Sequence, residues 1–69
     1  MKTYHISVER GEDGWLVAQA IEEPAAITQG RDLDEVAMMI RDALEAVTQE
    51  TDFQVDLMLP ASLDLAESA

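Results

Sequence analysis

The sequence predicts an α+β domain of order β-β-β-α-β: one mainly antiparallel sheet with a single helix packed on one face. Three observations carry this expectation. TYHISVE near the start and FQVDLML near the end alternate apolar and polar residues with the period of a half-buried strand. From Leu33 onward, apolar residues recur at the i, i+3, i+4, i+7 spacing of one helical stripe. Gly11, Gly14, Pro24 and Gly30 punctuate the stretch between, leaving room there only for short strands.

In the first strand, residues 3–9, Tyr4, Ile6 and Val8 share one face and Thr3, His5, Ser7 and Glu9 the other. GEDG then makes a compact turn with glycine at both ends, and Trp15 opens a second apolar run through Ile21, so the two strands form an antiparallel hairpin. Trp15, Val17, Gln19 and Ile21 alternate with Leu16, Ala18 and Ala20. Both faces of this strand are therefore largely apolar, as in a central strand or one covered by a partner subunit. Pro24 lacks a backbone N–H and steers Glu23 away from helical geometry, so EEPAA is a bend, and residues 26–29 make a short third strand.

Asp32 and Glu35 have the spacing of a capping box. The Asp32 carboxylate is expected to accept the Glu35 N–H, and the Glu35 side chain to reach back to the Asp32 N–H. Gly30 is expected to supply a positive φ where strand turns into helix, and Asp34 and Glu35 place negative charge at the positive end of the helix dipole. Leu33, Val36, Ala37, Ile40, Leu44 and Val47 form the apolar stripe, with fraying expected over residues 48–51. The last strand, residues 53–59, puts Phe53, Val55, Leu57 and Leu59 on one face and follows a helical crossover, which sets it parallel to the first strand. Residues 1–60 thus read as one domain, with a short mobile tail over 61–69.

A chain of 69 residues buries only about 60% of the surface its unfolded form exposes, so its core is small. Cysteine is absent and there is one histidine, which removes disulfides and thiolate metal sites as remedies and leaves association. A homo-oligomer, dimer or tetramer, is expected. Fifteen acidic against four basic residues give a formal charge of −11, which opposes direct binding to nucleic acid and favours a basic protein partner. No export signal or apolar span is apparent, so a cytoplasmic, non-membrane protein is expected.

Few residues invite catalytic readings. His5 stands alone on the polar face of its strand and reads as a solvated side chain, and Ser7 beside it lacks the other parts of a nucleophilic site. Trp15 after the turn reads as an anchor of the core or of an interface. Carboxylates of Glu9, Asp42 or Glu45, and Asp56 are the candidates for a metal-dependent nuclease, although Asp56 has the phase of a solvent-facing residue. No phosphate-binding glycine motif is present, and no cofactor is expected.

The ordered pieces are Tyr4 to Glu9, Asp13-Gly14-Trp15, Pro24, Ile27-Thr28-Gln29-Gly30, Asp32, and Leu33-Asp34-Glu35-Val36. Together, over about residues 4–59, they resemble the N-terminal domain of HicB-family antitoxins, with T-Q-G running into an acidic helix as the most specific part. The chain departs from the family pattern in carrying Ala25-Ala26 where a Gly-Cys pair is usual, and it is expected to be a short form without the appended DNA-binding domain. The resemblance implies a partial RNase H-like fold used for binding rather than catalysis. Its partner would be a small basic HicA-like toxin that cleaves mRNA with a histidine. Masking that toxin is expected to involve the hairpin region, Glu9, Glu12, Asp13 and Trp15, and the exposed helix acids Asp34, Asp42 and Glu45. Besides the metal-dependent nuclease, the other alternative is an orphan oligomeric module without a toxin.

Overall fold

The computed structural model describes residues 1–59. Its elements are β1 (Lys2–Arg10), β2 (Leu16–Ala20), β3 (Ile27–Gly30), α1 (Leu33–Thr48) and β4 (Phe53–Met58). They form the predicted α+β arrangement, a four-stranded mixed sheet of order β3-β2-β1-β4 with one helix. β1 pairs antiparallel with β2, from Ile6 opposite Ala20 to Arg10 opposite Leu16, and β2 pairs antiparallel with β3. β4 runs parallel to β1, from Lys2 opposite Phe53 to Ser7 opposite Met58. The tail expected over 61–69 lies outside the described residues.

Alternation sets the layers. Tyr4, Ile6, Val8, Leu16, Ala18, Ala20 and Phe53 turn toward α1 and are buried, meeting Val36, Ile40 and Leu44 of the helix in one core, with Ala26 of the bend. Burying each of the large aliphatic side chains contributes about 1.5–3 kcal/mol. Tyr4 and Phe53 meet edge to face at 5.4 Å between ring centres. The Arg41 guanidinium lies 4.5 Å from the Phe53 ring centre while its Nη2 donates to the Thr51 carbonyl at 3.3 Å, tying α1 to the start of β4.

The hairpin turn closes through the Gly14 N–H to the Gly11 carbonyl at 3.1 Å, and Gly14 has φ 86°. That left-handed backbone suits glycine. The bend after β2 closes through the Ala26 N–H to the Glu23 carbonyl at 2.9 Å.

The helix start differs from expectation in two details. Asp32 caps α1 as predicted, accepting the Glu35 N–H at 2.8 Å, but the Glu35 carboxylate reaches one residue further back and accepts the Arg31 N–H at 2.7 Å. Gly30 does not take a positive φ; among the described glycines only Gly14 does. What requires glycine there is space, because a Cβ on Gly30 would stand 3.0 Å from Val36 Cγ2 and 3.1 Å from Glu35 Oε1. The stripe is also shorter than predicted: Val47 is 40% exposed, and Ala43 packs on the core instead. At its C-terminal end α1 stops cleanly at a left-handed Gln49, φ 61°, whose N–H donates to the Glu45 carbonyl at 2.8 Å.

Candidate functional site: the open face of the sheet

Because α1 covers one side of the sheet, the alternate residues of every strand face away from it. β1 contributes Thr3, His5, Ser7 and Glu9 to that open face, while β2 and its extension contribute Val17, Gln19 and Ile21. Register with these residues adds Ile27 and Gln29 from β3, and Gln54, Asp56 and Met58 from β4. No described element covers this face. Ile21 and Ile27 are each 53% exposed and Met58 45%, so the face carries apolar area that the fold does not bury.

Apart from His5, its ionisable side chains are acidic. Glu9, Glu22 and Asp56 are all exposed, and none of the strand residues of this face is lysine or arginine. Arg31 stands at the corner beside the hairpin, its guanidinium 5.3 Å from the Trp15 ring centre. Trp15 itself is half-buried and belongs to neither the core cluster nor the fully exposed surface.

His5 is more engaged than a free solvated residue. The Glu22 carboxylate accepts the His5 backbone N–H at 2.8 Å through Oε1 and lies 2.5 Å from ring Nδ1 through Oε2. The Ile21 N–H donates to the His5 carbonyl at 2.8 Å, so the carboxylate stands in where the β2 ladder ends. The hydrogen bond to Glu22, and then its charge, raise the His5 pKa, and Asp56, opposite His5 on β4, adds to the effect. Glu22 is held below its usual value, first by the His5 N–H and then by the ring. This clasp fastens the bend after β2 to β1. The Gln19 side chain does the same from within the face, donating to the Pro24 carbonyl at 2.9 Å.

The residues singled out from sequence fall into two groups. Glu9 lies on the open face; Glu12 and Asp13 are exposed at the hairpin turn, where Asp13 also accepts the Trp15 N–H at 3.1 Å. Asp34 and Asp42 are exposed on α1 and Glu45 is half-exposed there, with Asp42 opposite the buried stripe and thus on the far side of the sheet from Glu9. One small partner cannot lie flat against both groups. The nuclease candidates divide in the same way, Glu9 and Asp56 on the open face and Asp42 and Glu45 on the helix side. Among the described residues, no three His, Cys, Asp or Glu side chains are placed to hold a metal ion.

Sequence reasoning missed Glu22, Ile27 and Met58 as members of this surface. The signal for it was present in β2, whose second apolar face, Val17 and Ile21, has no partner within the described residues. Among the described residues, no helix is long and apolar enough to cross a membrane. No family model, curated protein or solved structure matches the chain.

Proposed function

We propose that this chain is a non-catalytic binding module of the antitoxin type, resembling HicB, that neutralises a small basic HicA-like toxin by masking its RNA-binding and catalytic face. The observation that supports this reading best is the open sheet face, where Val17, Ile21, Ile27 and Met58 lie among Glu9, Glu22 and Asp56. Apolar area supplies affinity, and acids around it select a basic partner and speed its capture. The formal charge of −11 acts in the same direction at longer range.

On this reading the partner sits on the sheet, with Glu9, Glu12, Asp13 and Trp15 at the hairpin end of the contact, and the helix acids Asp34, Asp42 and Glu45 contribute only long-range attraction. The mechanism is occlusion: a basic surface occupied by carboxylates cannot hold RNA phosphates.

The test is titration of the chain into a HicA-like toxin, read by calorimetry and by mRNA cleavage at low and high salt. Cleavage should stop at a stoichiometric ratio, with binding weakened by salt. Glu9→Lys with Asp56→Lys should weaken binding by about a hundredfold, whereas Asp42→Lys should change it by less than about threefold. Equal losses from both surfaces would refute the placement, and undiminished cleavage would refute the reading.

A further inference from the structure

We infer that β4 is a self-pairing edge, through which two copies of this chain join their sheets antiparallel about a two-fold axis at Leu57. This inference stands apart from the antitoxin reading: it concerns the backbone edge and helix-side strip of β4, and it shares only Asp56 and Met58 with the open face.

The two edges of the sheet are unlike. β3 has four residues, and α1 closes over it, with Val36 and Glu35 against Gly30. β4 has six residues, and α1 touches it less than it touches β3 or β2. Natural edge strands are protected from pairing by lysine, proline, inward charge or a covering element. From Phe53 to Met58, β4 offers one charge, Asp56, and no lysine, arginine or proline, the nearest proline in sequence being Pro60.

Exposure on the helix side of this strand rises along its length. Phe53 is buried, Val55 and Leu57 are half-buried against the core, and Leu59 is 44% exposed. The apolar strip is therefore uncovered toward its C-terminal end. Beyond it β1 continues for three residues, Val8 to Arg10, past its last β4 partner, leaving a groove of about 220 Å³ lined by Ser7, Val8, Glu9, Met58 and Leu59.

The sequence of the strand selects both occupant and register. A basic foreign strand would find a single carboxylate here and gain little from charge. A second copy finds its own pattern: with the axis at Leu57, Val55 faces the second copy's Leu59, Leu57 faces its own equivalent, and Asp56 faces Met58. The helix-side strip becomes continuous between the copies. An axis at Asp56 would set two carboxylates directly opposite one another, which destabilises a strand pair. An axis at Val55 would leave Leu59 facing the polar Thr51. Of these three registers, the one at Leu57 alone pairs the uncovered apolar residues with each other and separates the acids.

The absence of cysteine allows a clean test on the full chain. Two single variants, Asp56→Cys and Met58→Cys, both at exposed positions, are mixed and oxidised. The Leu57 register brings these two positions opposite each other at about 4.5–5.5 Å between Cβ atoms, within reach of a disulfide, whereas like positions are diagonal at about 7–8 Å. The expected product is the mixed disulfide dimer in well above the roughly twofold excess over either homodimer that random pairing gives; an excess of only about twofold would overturn the register.

Sedimentation of the unmodified chain should show a dimer. Leu59→Asp should weaken it about a hundredfold with an unchanged circular dichroism spectrum, because a carboxylate would be buried unpaired against Val55 of the second copy. Ile27→Asp, on the open face, should leave the dimer intact. A monomer at every concentration, a disulfide homodimer of the Asp56→Cys variant in excess over the mixed product, or a dimer broken by Ile27→Asp and not by Leu59→Asp would each overturn the inference.

Discussion

Replacing Gly30 by alanine separates two reasons for a glycine at the strand-to-helix junction. If positive φ were the reason, the backbone would be strained. Gly30 has no such φ, so alanine fits its backbone and would by itself stabilise the fold by about 0.4–1 kcal/mol through the unfolded chain. The added methyl meets Val36 Cγ2 at 3.0 Å, however. Val36 is fully buried on a helix, where a β-branched side chain has essentially one rotamer, so it cannot turn aside. The second neighbour is Glu35 Oε1 at 3.1 Å, and moving it releases the Arg31 N–H. Overpacking of this kind costs about 1–3 kcal/mol, and against that gain the middle of the two ranges leaves a net loss of roughly 1 kcal/mol. In a domain of this size that lowers Tm by roughly 4–8 °C. The assay is thermal unfolding of Gly30→Ala, Val36→Ala and the double variant. The double variant should be more stable than the sum of the single losses, since the new methyl occupies space that the shortened Val36 vacates. An unchanged or raised Tm in Gly30→Ala, or strict additivity in the cycle, would refute the close-approach argument.

Two other outcomes follow from local geometry. Asp32→Ala removes the oxygen that accepts the Glu35 N–H and should cost about 0.5–2 kcal/mol, read as a lower urea midpoint, whereas Asp32→Ser should retain most of that stability. The His5–Glu22 clasp gives stability a pH dependence: His5 is raised from 6.5, so its contribution is full below that value and is lost as pH rises through the raised one, while Glu22 is lowered from 4.5, so its contribution is present above that value and is lost as pH falls through the lowered one. The urea midpoint of the unmodified chain should therefore exceed that of Glu22→Gln by more at about pH 5.5 than at about pH 8.5, and equal gaps at both would refute the assignment.

The elements were legible in the sequence wherever one local signal sufficed. Alternation in residues 4–8 and 53–57, the Asp32 cap and Pro24 each act within a few residues and are found where expected. Features that depend on what lies across from a residue were not legible. Gly30 looked like a glycine needed for its φ because the approach of Val36 is a tertiary fact. Val47 had the right phase for the core. Yet α1, at 16 residues, is about 24 Å long and outruns β2 and β3, of five and four residues, so its last turn has no short strand beneath it. The candidate site was only half legible. Acids on one strand could be assigned to a face, but grouping Glu9 with Glu22 and Asp56 requires the β1–β4 register and the bend after β2.

The same dimensions set how much of the sheet one helix leaves uncovered. A helix with its side chains is about 10–12 Å across, and adjacent strands are about 4.8 Å apart, so one helix covers about two strands of a four-stranded sheet. Here it covers β3 and β2 best, and the arrangement leaves two apolar surfaces open among the described residues: the C-terminal end of the helix side of β4 at one edge, and the reverse face. They differ in charge. The helix side of β4 carries no carboxylate and matches itself, whereas the reverse face carries Glu9, Glu22 and Asp56 and would repel a copy of itself laid against it. Under the two proposals above, one surface would take a second copy and the other a basic partner. Joining at the edge would engage only the Asp56 and Met58 margin of each reverse face and would leave the rest, across β1, β2 and β3, open on both copies.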